Sequence, residues 1–242
     1  MHKISDGTTF KDLPIFVKDH LSPPSILGLK SSIFLLTFIL LDFICFFPIV
    51  ADPFIDTFFW IVLPVILFVN GWAVFLFVRN VFSIQLESVL FLGIFSFAAS
   101  FVSFVSIQKF AYYLIDIDSI LFFMGSLFIV AVTTVYFIFY YNRKISQHDP
   151  HQKDEKKLWS GVFSLPALGY LFYHTVMKDS PFLFHFLIVL YFFITLFFIY
   201  LSVKFIHKFL FMKMNPQFIN YHLPTKSERK QYRDQGKTIH IK

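Results

Sequence analysis

The chain has 242 residues, of which 57% are hydrophobic and 15% charged, with a mean hydropathy of +0.67 and a formal net charge of +6. A soluble domain averages about 25% charged residues, so this composition excludes a water-dissolved globule and directs the reading to a bilayer. Its 38 Phe against 8 Gly make for bulky spans, unlike the Gly-rich helices of closely packed transporter bundles, and weigh against a transporter.

Residues 1–30 read as a cytoplasmic lead-in. Thr8 or Thr9 is placed to cap a short helix with Phe10, Leu13, Phe16 and Val17 on one side and Lys11, Asp12, Lys18 and Asp19 on another. Ser22, Pro23 and Pro24 end it, and its two-faced pattern predicts a helix lying in the membrane interface.

Residues 31–205 read as the membrane domain. A crossing needs about 20 apolar residues, and six runs supply them: Ser31 to Val50, Thr57 to Val78, Glu87 to Ile107, Asp118 to Tyr141, Leu158 to Met177 and Phe182 to Phe205. Backbone groups in lipid must be satisfied internally, and the runs lack the polar and apolar alternation of barrel strands, so helices are predicted. The fold class is all-α, a polytopic six-helix transmembrane bundle with a short interfacial N-terminal helix. The first span is not a cleavable signal: Asp42 interrupts it, no A-x-A site follows, and a second span comes close behind.

Of the 21 Lys and Arg, all but Lys109 and Lys178 fall in the N-terminal stretch, the second and fourth gaps, and the tail. The positive-inside rule then puts both termini in the cytoplasm of a multi-pass plasma-membrane protein. Lys109 is expected in an external gap. Residues 206–242 form a basic tail, with Lys226, Arg229, Lys230, Arg233 and Lys237, read as a solvated end attracted to anionic lipid headgroups.

Within the spans, Asp42 is expensive to bury if charged, at about 2.5–3.5 kcal/mol on insertion scales. Counted from the membrane edges, Asn70 lies at a similar depth in the antiparallel second span, so the two form a candidate polar site. Gly71 beside it would let the backbones approach. That site is either a proton or cation position or a pair fixing helix register with a neutral carboxyl. Gly93, Ser96, Ser100 and Ser103 recur at helical spacing on the third span, marking a small-residue packing face on the central helix; a hydroxyl-lined pore wall is the rival reading. Ser160, Ser164 and Ala167 offer a matching face on the fifth span, which Pro166 bends.

The remaining polar groups read as ordinary. Cys45 has no intramolecular disulfide partner. His148 and His151 have H-x-x-H spacing, yet Pro150 and the Lys-rich neighbourhood point to a solvated loop. His174 and His185 flank an external turn near Lys178 and Asp179, and Asp118 is a natural cap for the fourth span. No phosphate-loop, H-E-x-x-H or G-x-S-x-G pattern and no paired Glu or clustered Cys occurs. No catalytic residue, cofactor, metal or nucleic-acid partner is therefore expected.

The Phe, Ile and Lys bias, the six spans, and Phe10-Lys11-Asp12-Leu13-Pro14 followed by Ser22-Pro23-Pro24 resemble the orphan membrane proteins of low-GC Gram-positive bacteria. Some staphylococcal families of this kind are encoded beside type VII secretion genes. The resemblance implies an accessory or immunity role in the plasma membrane. The expectation is a partner-binding bundle whose partners are the lipid bilayer and another membrane protein; the alternative is a small transporter or channel built on Asp42, Asn70 and the serine stripe.

Overall fold

The computed structural model describes residues 9–117, 119–146 and 183–226, together with Ile4 and Arg229. Among these residues every regular element is helical, and five helices are long and apolar enough to cross a membrane. The predicted fifth span, Leu158 to Met177, lies outside the described residues, as do Asp118, His148, His151 and His174.

The N-terminal helix α1 spans Ile15–Leu21. A 3-10 turn over Phe10–Asp12 does follow Thr9, but it breaks before Pro14 and the α-helix starts only after that residue. A helix capped at Thr9 would carry Pro14 in its interior, where proline has no N–H to donate and its ring disfavours helical geometry for the residue before it. Leu13, Val17 and Leu21 are buried with Ile145 and Phe211, so the apolar face is satisfied by protein. Lys144 lies 4.6 Å over the Phe16 ring.

Helix α2, Leu29–Val50, begins after Gly28, whose φ of 78° is the left-handed conformation glycine adopts without strain. Over Leu35–Phe46 its hydrogen bonding widens to i→i+5. The buried residues Leu29, Ile33, Thr37, Leu41, Cys45 and Ile49 recur every four positions. That period exceeds the 3.6 residues of an α-helical turn, so such a stripe would drift around a regular helix; the wider turns in the middle counter the drift and hold it on one face.

Helix α3 is Asp56–Val78, with Asp56 in its first turn, where the helix dipole favours an acid. Its buried positions, Val62, Ile66, Val69, Ala73 and Leu76, alternate steps of four and three, the seam of a left-handed helix pair. Helix α4, Gln85–Leu114, has 30 residues and so is about 45 Å long. It is the central element: 67% of its most apolar window is buried, against 6% for α5, Ile120–Ser146.

Helix α6, Leu183–Met214, runs antiparallel to α4. Ile206 meets Gly93, Thr195 meets Ser100 and Tyr191 meets Phe110. The main core joins α2, α3 and α4 through residues such as Leu41, Val69, Phe91 and Val102, with Phe198 of α6. Helix α5 ends beside α1 and the last turns of α6, through Ile145 and Phe211, whereas α6 begins beside Ile107 and Phe110.

The start of the basic tail is structured, whereas Lys226 and Arg229 are exposed and Lys230, Arg233 and Lys237 lie outside the described residues. Asn215 is fully buried; it donates to Phe211 O and accepts a bond from the Ile4 N–H at 2.9 Å. The Asn220 N–H donates to Leu21 O. Gln85 grips the His222 backbone with both ends of its amide, donating to the carbonyl and accepting from the N–H, each at 2.9 Å. These partners lie more than 130 residues apart in sequence, beyond the reach of a local pattern.

Candidate functional site

Asp42 and Asn70 meet between α2 and α3. Asn70 Nδ2 donates to Asp42 Oδ2 at 3.0 Å. Each residue sits one position past a fully buried one, Leu41 and Val69, so both lie at the margin of the helix seam. Gly71 does not bring the backbones together as expected: it is exposed, and a Cβ built there would meet nothing within 4 Å.

The pair is incompletely satisfied. Asp42 Oδ1 and Asn70 Oδ1 are both buried acceptors without a partner among the described residues. One proton on Asp42 Oδ1, donated to Asn70 Oδ1, would close a two-bond acid–amide ring; a small cation between the two oxygens is the other chemistry that satisfies both. The two are separable by substitution. Asp42→Asn is expected to shift stability by under about 1 kcal/mol, because an amide can also donate from that position, while Asn70→Leu costs about 1–3 kcal/mol by leaving the acid unpaired in lipid. Denaturant midpoints in micelles measure this; equal losses in both variants would rule out the neutral ring.

The small residues of α4 are divided between two neighbours. Gly93 faces Ile206, whose Cγ1 lies 2.8 Å and whose backbone nitrogen lies 3.1 Å from the place of a Cβ. The Ser100 hydroxyl donates to Thr195 O at 3.1 Å. Ser96 bonds back to Leu92 O in its own helix, and Ser103 is fully buried. Further along, Ser106 donates to Cys45 O of α2. The stripe therefore lies against α6 and α2. Among the described residues, no three His, Cys, Asp or Glu side chains converge as a metal site.

Comparison with known protein families, curated proteins and solved structures finds no match for this chain.

Sequence reasoning missed three polar groupings. Lys109, expected in an external gap, lies inside α4 and is 1% exposed. Its ammonium donates to the carbonyls of Pro48, Ile49 and Ala51 at 2.7, 3.1 and 2.6 Å, tying the open C-terminal end of α2 to the central helix. Glu87, at the opposite end of α4, accepts bonds from Trp72 Nε1 and from Arg79, anchoring the turn that follows α3.

The third grouping lies where α1 crosses α5 and α6. His20 is fully buried, with its ring 5.9 Å from both Tyr141 and His207 and with Nδ1 against Phe16 O. Burial holds the His20 imidazole down at about 3, assisted by Lys208, His207 and Lys204, against about 6.5 in an unfolded chain. Below pH 6.5 the unfolded chain takes up a proton that the folded one refuses. Stability is thus fully present above pH ~6.5 and declines as pH falls toward 3, by up to about 1.4 kcal/mol per unit. Proteolysis near Lys11 and Lys18 should accelerate across this window, and His20→Phe should reduce the response; an unchanged pH profile in that variant would refute the assignment.

Proposed function

We propose that this chain is an accessory plasma-membrane protein that binds another membrane protein, with both ends on the cytoplasmic face and no catalysis of its own. The observation that supports it is the surface of α5. Among the described residues, Leu121, Phe128, Val132, Tyr136 and Phe139 of that helix are all exposed, while its other side meets α4 through Phe123 and Ser126 and α6 through Phe137, Tyr141 and Ile145. A bulky apolar helix with so little packing among the described residues is a natural seat for a helix of another protein, where close van der Waals contact gains what lipid contact alone does not. The clustering of Lys18, Lys30, Lys144 and Lys204 at one end of the bundle, and the bond joining Ile4 to Asn215, support the cytoplasmic placement of both ends. An immunity or secretion-associated role, implied by the family resemblance, fits this reading.

A photo-crosslinker placed at Phe128 or Val132 in native membranes tests it. A single recurrent protein adduct is expected. Adducts to lipid alone, with the chain isolated free of other proteins in mild detergent, would refute partner binding.

A transport reading is favoured by the two unpartnered oxygens of Asp42 and Asn70. Proteoliposome ion flux that is lost in Asp42→Asn and Asn70→Ala would establish it, and flux unchanged in both would remove it.

A further inference from the structure

A half-open cavity of about 560 Å³ lies on the side of α4 away from α2, bordered by α3, α4, α5 and α6. Phe58, Phe101, Phe104, Phe123, Leu127 and Ile199 are among the apolar side chains of its wall. The lining hydroxyls of Ser100 and Thr134 are already committed to the carbonyls of Thr195 and Val130. The lining amide also has an atom left over. Gln108, 4% exposed, donates from Nε2 to Ser126 Oγ at 3.1 Å, while its Oε1 is buried without a partner among the described residues.

Water fits this space poorly, because a buried water needs two to four polar partners, whereas a dry apolar cavity of ~150 Å³ accepts a benzene ring. Scaling from that case, 560 Å³ holds roughly 20 carbon atoms. Left empty, the phenyl walls would forfeit their dispersion contacts. The unpartnered Gln108 oxygen requires an O–H or N–H donor. The neighbouring cation is unavailable to an acidic headgroup, since the Lys109 ammonium is occupied by three carbonyls of the α2 end.

We propose that this cavity binds the hydrocarbon chain of a neutral single-chain amphiphile, whose hydroxyl or amide donates to Gln108 Oε1 from the leaflet opposite the basic end of the bundle. Packing of one such molecule between α4 and α5 would also brace α5. The proposal goes beyond partner binding and stands whether or not a protein partner exists.

The full chain in phosphatidylcholine vesicles, photolabelled with hexadecan-1-ol bearing a mid-chain diazirine, tests it. Label is expected to concentrate on peptides carrying Phe101, Phe104 and Leu127. The same probe without its hydroxyl should label these positions about tenfold less, the worth of one buried hydrogen bond, and Gln108→Leu should reduce alcohol labelling to that level. Val130→Trp, which fills the space from α5, should abolish labelling there. Label spread evenly over the exposed faces of α3 and α5 would overturn the proposal, as would equal labelling by alcohol and alkane; both readouts are made on the unaltered chain and do not depend on the variants folding.

Discussion

Replacement of Gly93 by alanine is expected to destabilise the bundle by about 1–3 kcal/mol, and replacement by leucine to prevent α4 and α6 from docking. The cause is local. A Cβ at this position would stand 2.8 Å from Ile206 Cγ1 and 3.1 Å from the Ile206 backbone nitrogen. The side chain can rotate away, but the backbone nitrogen moves only if α6 moves. In a bilayer the lipid tails are as apolar as the helix surfaces, so association rests on close packing and interhelical hydrogen bonds rather than on expulsion of water. Pushing α6 outward would also stretch the bond from Ser100 to Thr195 two turns away. Denaturant midpoints in mixed micelles provide the measurement, and a Gly93→Leu protein with the original midpoint would show that the two helices do not touch there.

Lys109→Met should cost about 2–4 kcal/mol. Three carbonyls at the end of α2 converge on one ammonium, and hydrogen bonds to charged groups contribute roughly 1.5–3 kcal/mol each, offset in part by release of the cation from its buried position. Methionine matches the side chain in bulk, so the loss reflects carbonyls left without donors rather than a void. Hydrogen exchange supplies a second readout. Amides of residues 47–51 should exchange faster in the variant while those of α6 stay protected, and uniform protection throughout would disprove the tie.

What local pattern encodes was readable from the sequence; what depends on a distant partner was not. The limits of α3 were legible to within a residue, because Asp56 and Arg79 mark both ends of an uninterrupted apolar run. Helix α4 runs seven residues beyond the Ile107 boundary read from its hydropathy, to Leu114, because a lysine in a sequence reads as a loop and the carbonyls that neutralise Lys109 belong to another helix. Depth counting placed Asp42 level with Asn70, and the structure has them hydrogen bonded; it could not reveal that two of their oxygens are left over. The small residues of α4 were visible as a stripe, yet their division between α6 and α2 follows from three-dimensional pairing. Pro14 was a local signal that could have set the start of α1, had its missing N–H been weighed above the amphipathic spacing.

The bonds joining Ile4 to Asn215, Leu21 to Asn220 and Gln85 to His222 bear on biosynthesis. A nascent chain inserts its helices one after another, but the cover over the basic end cannot close until the ribosome has passed residue 222. Until then Leu21 and Gln85 lack their final partners, so quality-control proteases have a window in which an otherwise inserted polypeptide still presents loose ends. Messages truncated shortly before that codon should yield products that reach the membrane and are then degraded.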